Sequence, residues 1–181
     1  MHADDAASVF AERDIQIGAP PSVVWDVLSD IDGWPQWDHD VSEARAQGPL
    51  EPGMTFEWKA GPGTVTSTLE SVDPGRELGW TGHSFGIHAM HVWHVEACDD
   101  GTTHVITEES WSGVTPAVFR AASEDSLERA IDRGLKYLKH EAEKRSRGTA
   151  ESVGDTLGDG GLGDGHAGGP DAPAHTGRPT H

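Results

Sequence analysis

The segment SEDSLERAIDRGLKYLKHEAEKR, residues 123–145, limits most narrowly what this chain can fold into. Leu127, Ile131, Leu135, Leu138 and Ala142 fall on one helical stripe, and the remaining surface is charged. Such a helix is stable only with that stripe buried, and a single stripe calls for a concave partner. Ser123 is the expected N-cap, with Glu124 and Asp125 in the first turn, where the helix dipole favours acidic groups.

The partner is legible upstream. SVFAERDIQIGA alternates as a first strand. In APPSVVWDVLSD, Pro20 and Pro21 suit a helix start, Ser22 is a candidate cap, and Val24, Trp25 and Leu28 have helical spacing. DIDGWPQWDHDV, broken by Gly33 and Pro35, reads as a short helical turn presenting Trp34 and Trp37. Strand segments follow between turn signals: MTFEWKA, TVTSTLESV, RELGWTG, GIHAMHVWHVE and THVITEESWSG. The order is a strand, short helices, about six consecutive antiparallel strands, then one long helix. That is an α+β chain in which a curved sheet grips a helix, and the space between them is the natural ligand site.

The stretch GIHAMHVWHVE, residues 86–96, holds three histidines, and strand alternation decides how they can be used. Ile87, Ala89, His91, Trp93 and Val95 form the more apolar, inward set; His88, Met90, Val92, His94 and Glu96 face the other way. The sheet therefore separates His91 from His88 and His94, which excludes a three-histidine metal site within this strand. Asp99-Asp100-Gly101 suits a three-residue hairpin loop with Gly101 in the left-handed position. This register sets Trp93 opposite Thr107, His91 opposite Glu109 and, on the outer face, Glu96 opposite His104. His91 and Glu109 then become inward neighbours flanked by Trp93 and Trp111. Such a pair has two readings: a hydrogen-bonded anchor in a polar cavity wall, or a general acid/base pair. The inward ligand-contact candidates are Phe56, Trp58, Trp80, Trp93, Thr107 and Trp111, with His83 near a strand end and Leu135 from the helix. Which of the sets Thr64, Thr66, Thr68 and Val65, Ser67, Leu69 faces inward stays open.

Composition narrows the function classes. The 31 acidic and 13 basic residues give a formal charge of −18, which repels phosphate backbones and anionic lipid surfaces. No nucleic-acid partner and no membrane insertion are expected, but a small hydrophobic ligand held by a monomer or homodimer. Cys98 is the only cysteine, so no internal disulfide is possible. MHADDAASVFAERD has no basic region followed by an apolar run, and the expected location is cytoplasmic. No GxxxxGK[ST], no GxGxxG between strand and helix and no GxSxG occurs, so neither cofactor nor metal is expected. Residues 1–7 read as a flexible N-terminus, 8–147 as the folded domain, and 148–181 as a disordered Gly/Asp/Pro-rich tail with too little apolar surface to offset its ordering entropy.

IGAPPSVVWDVLSDIDGWPQWDHDV, GPLEPGMTFEWKAGPGTVTSTLESVDPGRELGWTG, GIHAMHVWHVE and TEESWSG together resemble the polyketide cyclase/dehydrase branch of the START-related (SRPBCC) superfamily. The resemblance spans about residues 8–147. It implies a helix-grip fold: a seven-stranded antiparallel sheet around a long C-terminal helix, with an internal cavity. It carries over no catalytic residue, since superfamily members range from cyclases and dehydratases to lipid carriers. One departure is His39, where relatives often have Pro; it places an imidazole in a loop near the expected cavity mouth. Two functions follow as expectations: binding a small, largely apolar, aromatic or polyketide-like molecule, or cofactor-independent aromatase/cyclase or dehydratase chemistry through His91 and Glu109.

Overall fold

In the computed structural model, which describes residues 1–60 and 63–158, seven strands form one antiparallel sheet. They are β1 (Val9–Ile17), β2 (Val41–Ala46), β3 (Thr55–Ala60), β4 (Gly63–Asp73), β5 (Glu77–Ser84), β6 (Ile87–Ala97) and β7 (Thr103–Gly113), in the order β1-β7-β6-β5-β4-β3-β2. Register shifts between Val41 and Glu43 and between Leu69 and Ser71 mark bulges, which bend the sheet. The concave face grips helix α3 (Arg120–Gly158), preceded by the short helix α2 (Val114–Val118). The helix-grip fold that the resemblance implies is thus present.

The β6–β7 register is the one the turn residues predict. Gly101 has φ 81°, and Trp93 pairs with Thr107, His91 with Glu109 and Glu96 with His104. In β4 the inward set is Val65, Ser67 and Leu69, with Ser67 and Leu69 wholly buried. On α3 all five stripe residues, Leu127, Ile131, Leu135, Leu138 and Ala142, are buried.

Several local expectations need correction. Helix α1 (Pro21–Ser29) starts with Pro20 extended at its cap and Pro21 in its first turn, which leaves Ser22 inside the helix. Ser123 is likewise interior, because α3 begins at Arg120 and the Ser123 N–H bonds the carbonyl of Phe119. Trp34 and Trp37 are not presented to solvent. The 3-10 turn Ile31–Gln36 drives Trp34 into the core, where its Nε1–H donates to the Leu28 carbonyl at 2.9 Å. Strand β2 escapes the sequence pattern because it is a short edge strand, largely exposed and weakly alternating.

Residues 1–7 are not a loose end. Ala3 is buried and its N–H donates to Glu108 Oε2 at 3.1 Å; Asp4 N–H donates to Ser110 Oγ, and the Met1 amine pairs with Glu77. A Cβ on Gly79 would come within 2.9 Å of Met1 Sδ, so the glycine leaves the segment room to lie on the sheet. At the other end, α3 passes the expected boundary at 147 and runs to Gly158. The disorder expected for the tail concerns residues of which 159–181 lie outside the described residues. No helix among the described residues is long and apolar enough to cross a membrane.

The helix stripe gives a direct stability test. Leu127→Ala, at a fully buried position, should lower the unfolding free energy in urea by about 2–5 kcal/mol, whereas exposed Lys136→Ala should change it by less than about 0.5 kcal/mol.

Candidate functional site

A cavity of about 620 Å³ lies between the sheet and α3. Trp58, His91, Trp93, Glu109 and Trp111 wall it from the sheet, and Ser126, Ala130, Ile131 and Gly134 from the helix. The hollow persists because small helix residues face the large indoles: among the described residues an added Cβ at Gly134 would meet only the Trp93 ring, at 3.8 Å. A smaller space of about 230 Å³ adjoins it, sharing Trp58, Ala60, Glu109 and Trp111 and continuing to His83 and Phe85.

Strand pairing places His91 beside Glu109, with Nδ1 3.3 Å from Oε2. The other ring nitrogen, Nε2, is 2.8 Å from Thr107 Oγ1, and the Thr107 hydroxyl donates to the Val92 carbonyl at 3.1 Å. With its single proton committed there, Thr107 must accept from His91. This fixes the Nε2–H tautomer and leaves the Nδ1 lone pair facing Glu109. Trp111 Nε1–H donates to Glu109 Oε1 at 2.7 Å. Burial pulls the His91 imidazolium down to about pKa 3 and pushes the Glu109 carboxyl up to about 7, the latter opposed by the Trp111 hydrogen bond. Near neutrality the imidazole is uncharged and the carboxyl sits at its midpoint, where it can donate to Nδ1. Two rings clamp the imidazole: Trp80 at 4.7 Å and Trp93, at 30° to its plane, at 5.2 Å.

Of the sequence candidates, His91, Glu109, Trp58, Trp93 and Trp111 line the main cavity, and exposed His83 rims the smaller one. The other four lie elsewhere. Phe56 and Trp80 belong to the core, where Trp34 packs against both at 5.6 and 5.4 Å and fills the space in front of them. Leu135 is buried in the same core, one residue past the stretch of α3 that faces the hollow. Thr107 sits behind His91 and orients its ring without walling the cavity.

The sequence reading missed the polar rim. Asp38, Asp40 and Arg133 close the cavity on one side, with Arg133 Nε bonded to Asp40 Oδ2 at 2.6 Å. Burial raises the Asp38 carboxyl, against a backbone hydrogen bond from Asp40 that lowers it. Their only sequence signal is the acidic pair around His39, which says nothing about a helix arginine 93 residues away. His39 is itself exposed, its ring edge-on to Tyr137 at 4.9 Å, and it lines the same rim.

A curved antiparallel sheet gripping a C-terminal helix over a walled hollow defines a helix-grip, START-like fold. The family model described as "Polyketide cyclase / dehydrase and lipid transport" matches residues 9–143, and the chain belongs to that family. Among solved structures, a hypothetical protein from Helicobacter pylori is similar with TM-score 0.69 and 18% identity, over 76% of this chain and 90% of that one. The Zhui aromatase/cyclase from a Streptomyces species gives TM-score 0.67 and 20% identity, over 75% and 94%. A START superfamily protein from Mycobacterium smegmatis gives 0.60 and 9%, over 77% and 98%. At these identities the likeness establishes the fold. No curated protein matches the chain.

The opposed shifts of the buried pair predict a pH signature. Glu109 holds its proton more tightly folded than unfolded, so its contribution to stability falls as pH rises from about 4.5 to 7. His91 has a depressed folded pKa, so its contribution rises with pH from about 3 to 6.5. From about pH 4.5 to 6.5 the two slopes cancel. Glu109→Gln removes the falling one, and urea denaturation should show the variant gaining about 3 kcal/mol relative to the wild type between pH 4.5 and 7. A pH-independent difference would show an ordinary, solvated carboxyl.

Proposed function

We propose that this chain encloses a small, flat, largely apolar molecule, aromatic or polyketide-like, in the cavity between the sheet and α3. The observation that carries this reading is the hollow itself: about 620 Å³, within the range of small-molecule sites, walled by three indoles and the His91–Glu109 pair, with Asp38, Asp40 and Arg133 at its rim. Trp58, Trp93 and Trp111 offer stacking surface, while His91 and Glu109 offer a directional anchor for a hydroxyl or carbonyl oxygen. The family description, which includes both cyclase chemistry and lipid transport, supports a ligand of this class.

A second reading, cyclisation or dehydration of a polyketide-like chain, is favoured by His91 and Glu109 meeting on the cavity wall. Ionised Glu109 takes a proton from the carbon between two carbonyls. The enolate carbon then attacks a third carbonyl, forming the ring bond, and the new alkoxide takes the proton back. A second proton removal, with the hydroxyl leaving as water, gives the unsaturated ring without any redox partner. The aromatase/cyclase among the structural neighbours lends this reading its chemical class.

Quenching of Trp fluorescence by polycyclic phenols, fatty acids and sterols tests the binding proposal: the polycyclic phenols should quench saturably, and failure of every class would overturn it. His91→Ala and Glu109→Gln then separate the readings. In a binding protein both weaken ligand affinity and no product ever forms. In a cyclase both abolish turnover while affinity stays within about tenfold, or about 1.4 kcal/mol. If neither substitution changes affinity or turnover, the assignment of the pair is wrong.

A further inference from the structure

On the convex face of the sheet, the face turned away from the cavity, a second imidazole–carboxylate cluster joins the N-terminal segment to the β6–β7 hairpin. His2 Nδ1 is 2.9 Å from Glu108 Oε1, and His94 Nε2 is 3.6 Å from the same oxygen. One donor atom from each of His2, His94 and Glu108 lies within 4.8 Å of the other two. Two features go beyond an ordinary surface ion pair. Glu108 is a buried carboxylate, and His94 Nε2 is a buried ring nitrogen with no hydrogen-bond partner among the described residues, which is costly for a polar atom out of reach of water.

We propose that His2, His94 and Glu108 bind a zinc-class divalent cation that fastens the N-terminal segment to the outer face of the sheet.

The donor set is two imidazoles and one carboxylate, a combination suited to zinc and its first-row neighbours and poorly suited to magnesium or calcium, which prefer all-oxygen shells. Tetrahedral bonds of about 2.1 Å set neighbouring donors about 3.4 Å apart. The His94–Glu108 pair already has nearly that spacing, and the His2 side chain, 78% exposed, is free to swing into place. The surroundings fit a ligated ion. Glu77 Oε2 lies 3.4 Å from His94 Nδ1, placed to accept its proton and leave Nε2 bare for the metal. The Ala3 N–H occupies Glu108 Oε2 at 3.1 Å, leaving Oε1 turned toward both rings. A water would complete the fourth position on the exposed side.

Calorimetric titration of the full chain with zinc chloride tests this. One equivalent should bind, with His2→Gln and His94→Gln each weakening the affinity at least about tenfold and His88→Gln, on the same face, leaving it unchanged. Zinc should also slow hydrogen exchange at the Ala3 amide, and magnesium should give no heat. His2 is exposed, so His2→Gln leaves the fold intact and its result stands by itself. Absence of zinc binding, or wild-type affinity in the His2 and His94 variants, would overturn the proposal and assign any bound zinc to other histidines.

Discussion

The antiparallel register between β6 and β7 decides which side chains face the cavity and which face the N-terminal segment. It is set at the Asp99-Asp100-Gly101 loop, where the positive φ of Gly101 lets a three-residue connection close. A slip of one residue would turn each side chain of β7 to the opposite face. Glu108 would then enter the cavity, Glu109 would leave it, and Trp111 would lose its place in the wall. The hairpin thus sorts two similar sets of groups onto two faces: His91 with Glu109 beneath α3, and His94 with Glu108 beneath the N-terminal segment. The histidine-rich stretch reads as one cluster in sequence and is two in space.

Why the inner face encloses a hollow follows from what α3 offers opposite it. Toward the core end, Leu135, Leu138 and Ala142 close onto the sheet with the help of Trp34. Toward its N-terminal end, Ser126, Ala130 and Gly134 are too small to reach the indoles, and the gap stays open. A polar pair in such a wall is stable only if its hydrogen bonds are met, and the chain Trp111–Glu109–His91–Thr107–Val92 meets them within the protein. The imidazole is therefore held uncharged, and both groups are oriented in advance of any ligand. This arrangement serves binding and proton transfer equally well.

Much of the fold was legible because local rules carry it: turn glycines, period-two alternation and one apolar helical stripe. The cavity wall was legible only in part. Alternation puts Phe56, Trp80 and Trp93 on the same side of the sheet, but whether that side meets a filling residue or a void depends on α3 and on Trp34, which are remote in sequence. Phe56 and Trp80 met Trp34; Trp93 met Gly134. The same limit hid the Asp40–Arg133 closure and the docking of residues 1–4, since neither has a pattern of its own. Alternation correctly denied His91 and His94 a common site, yet could not foresee a partner for His94 from the start of the chain.

The inward face of this hairpin holds His91 as a buried, neutral imidazole bonded to Thr107. Nitrogen-15 NMR of the His91 ring tests it most directly. The spectrum should show a proton on Nε2, a bare Nδ1 and no change to imidazolium between about pH 5 and 8. An ordinary titration near pH 6.5, or a proton resident on Nδ1, would contradict it.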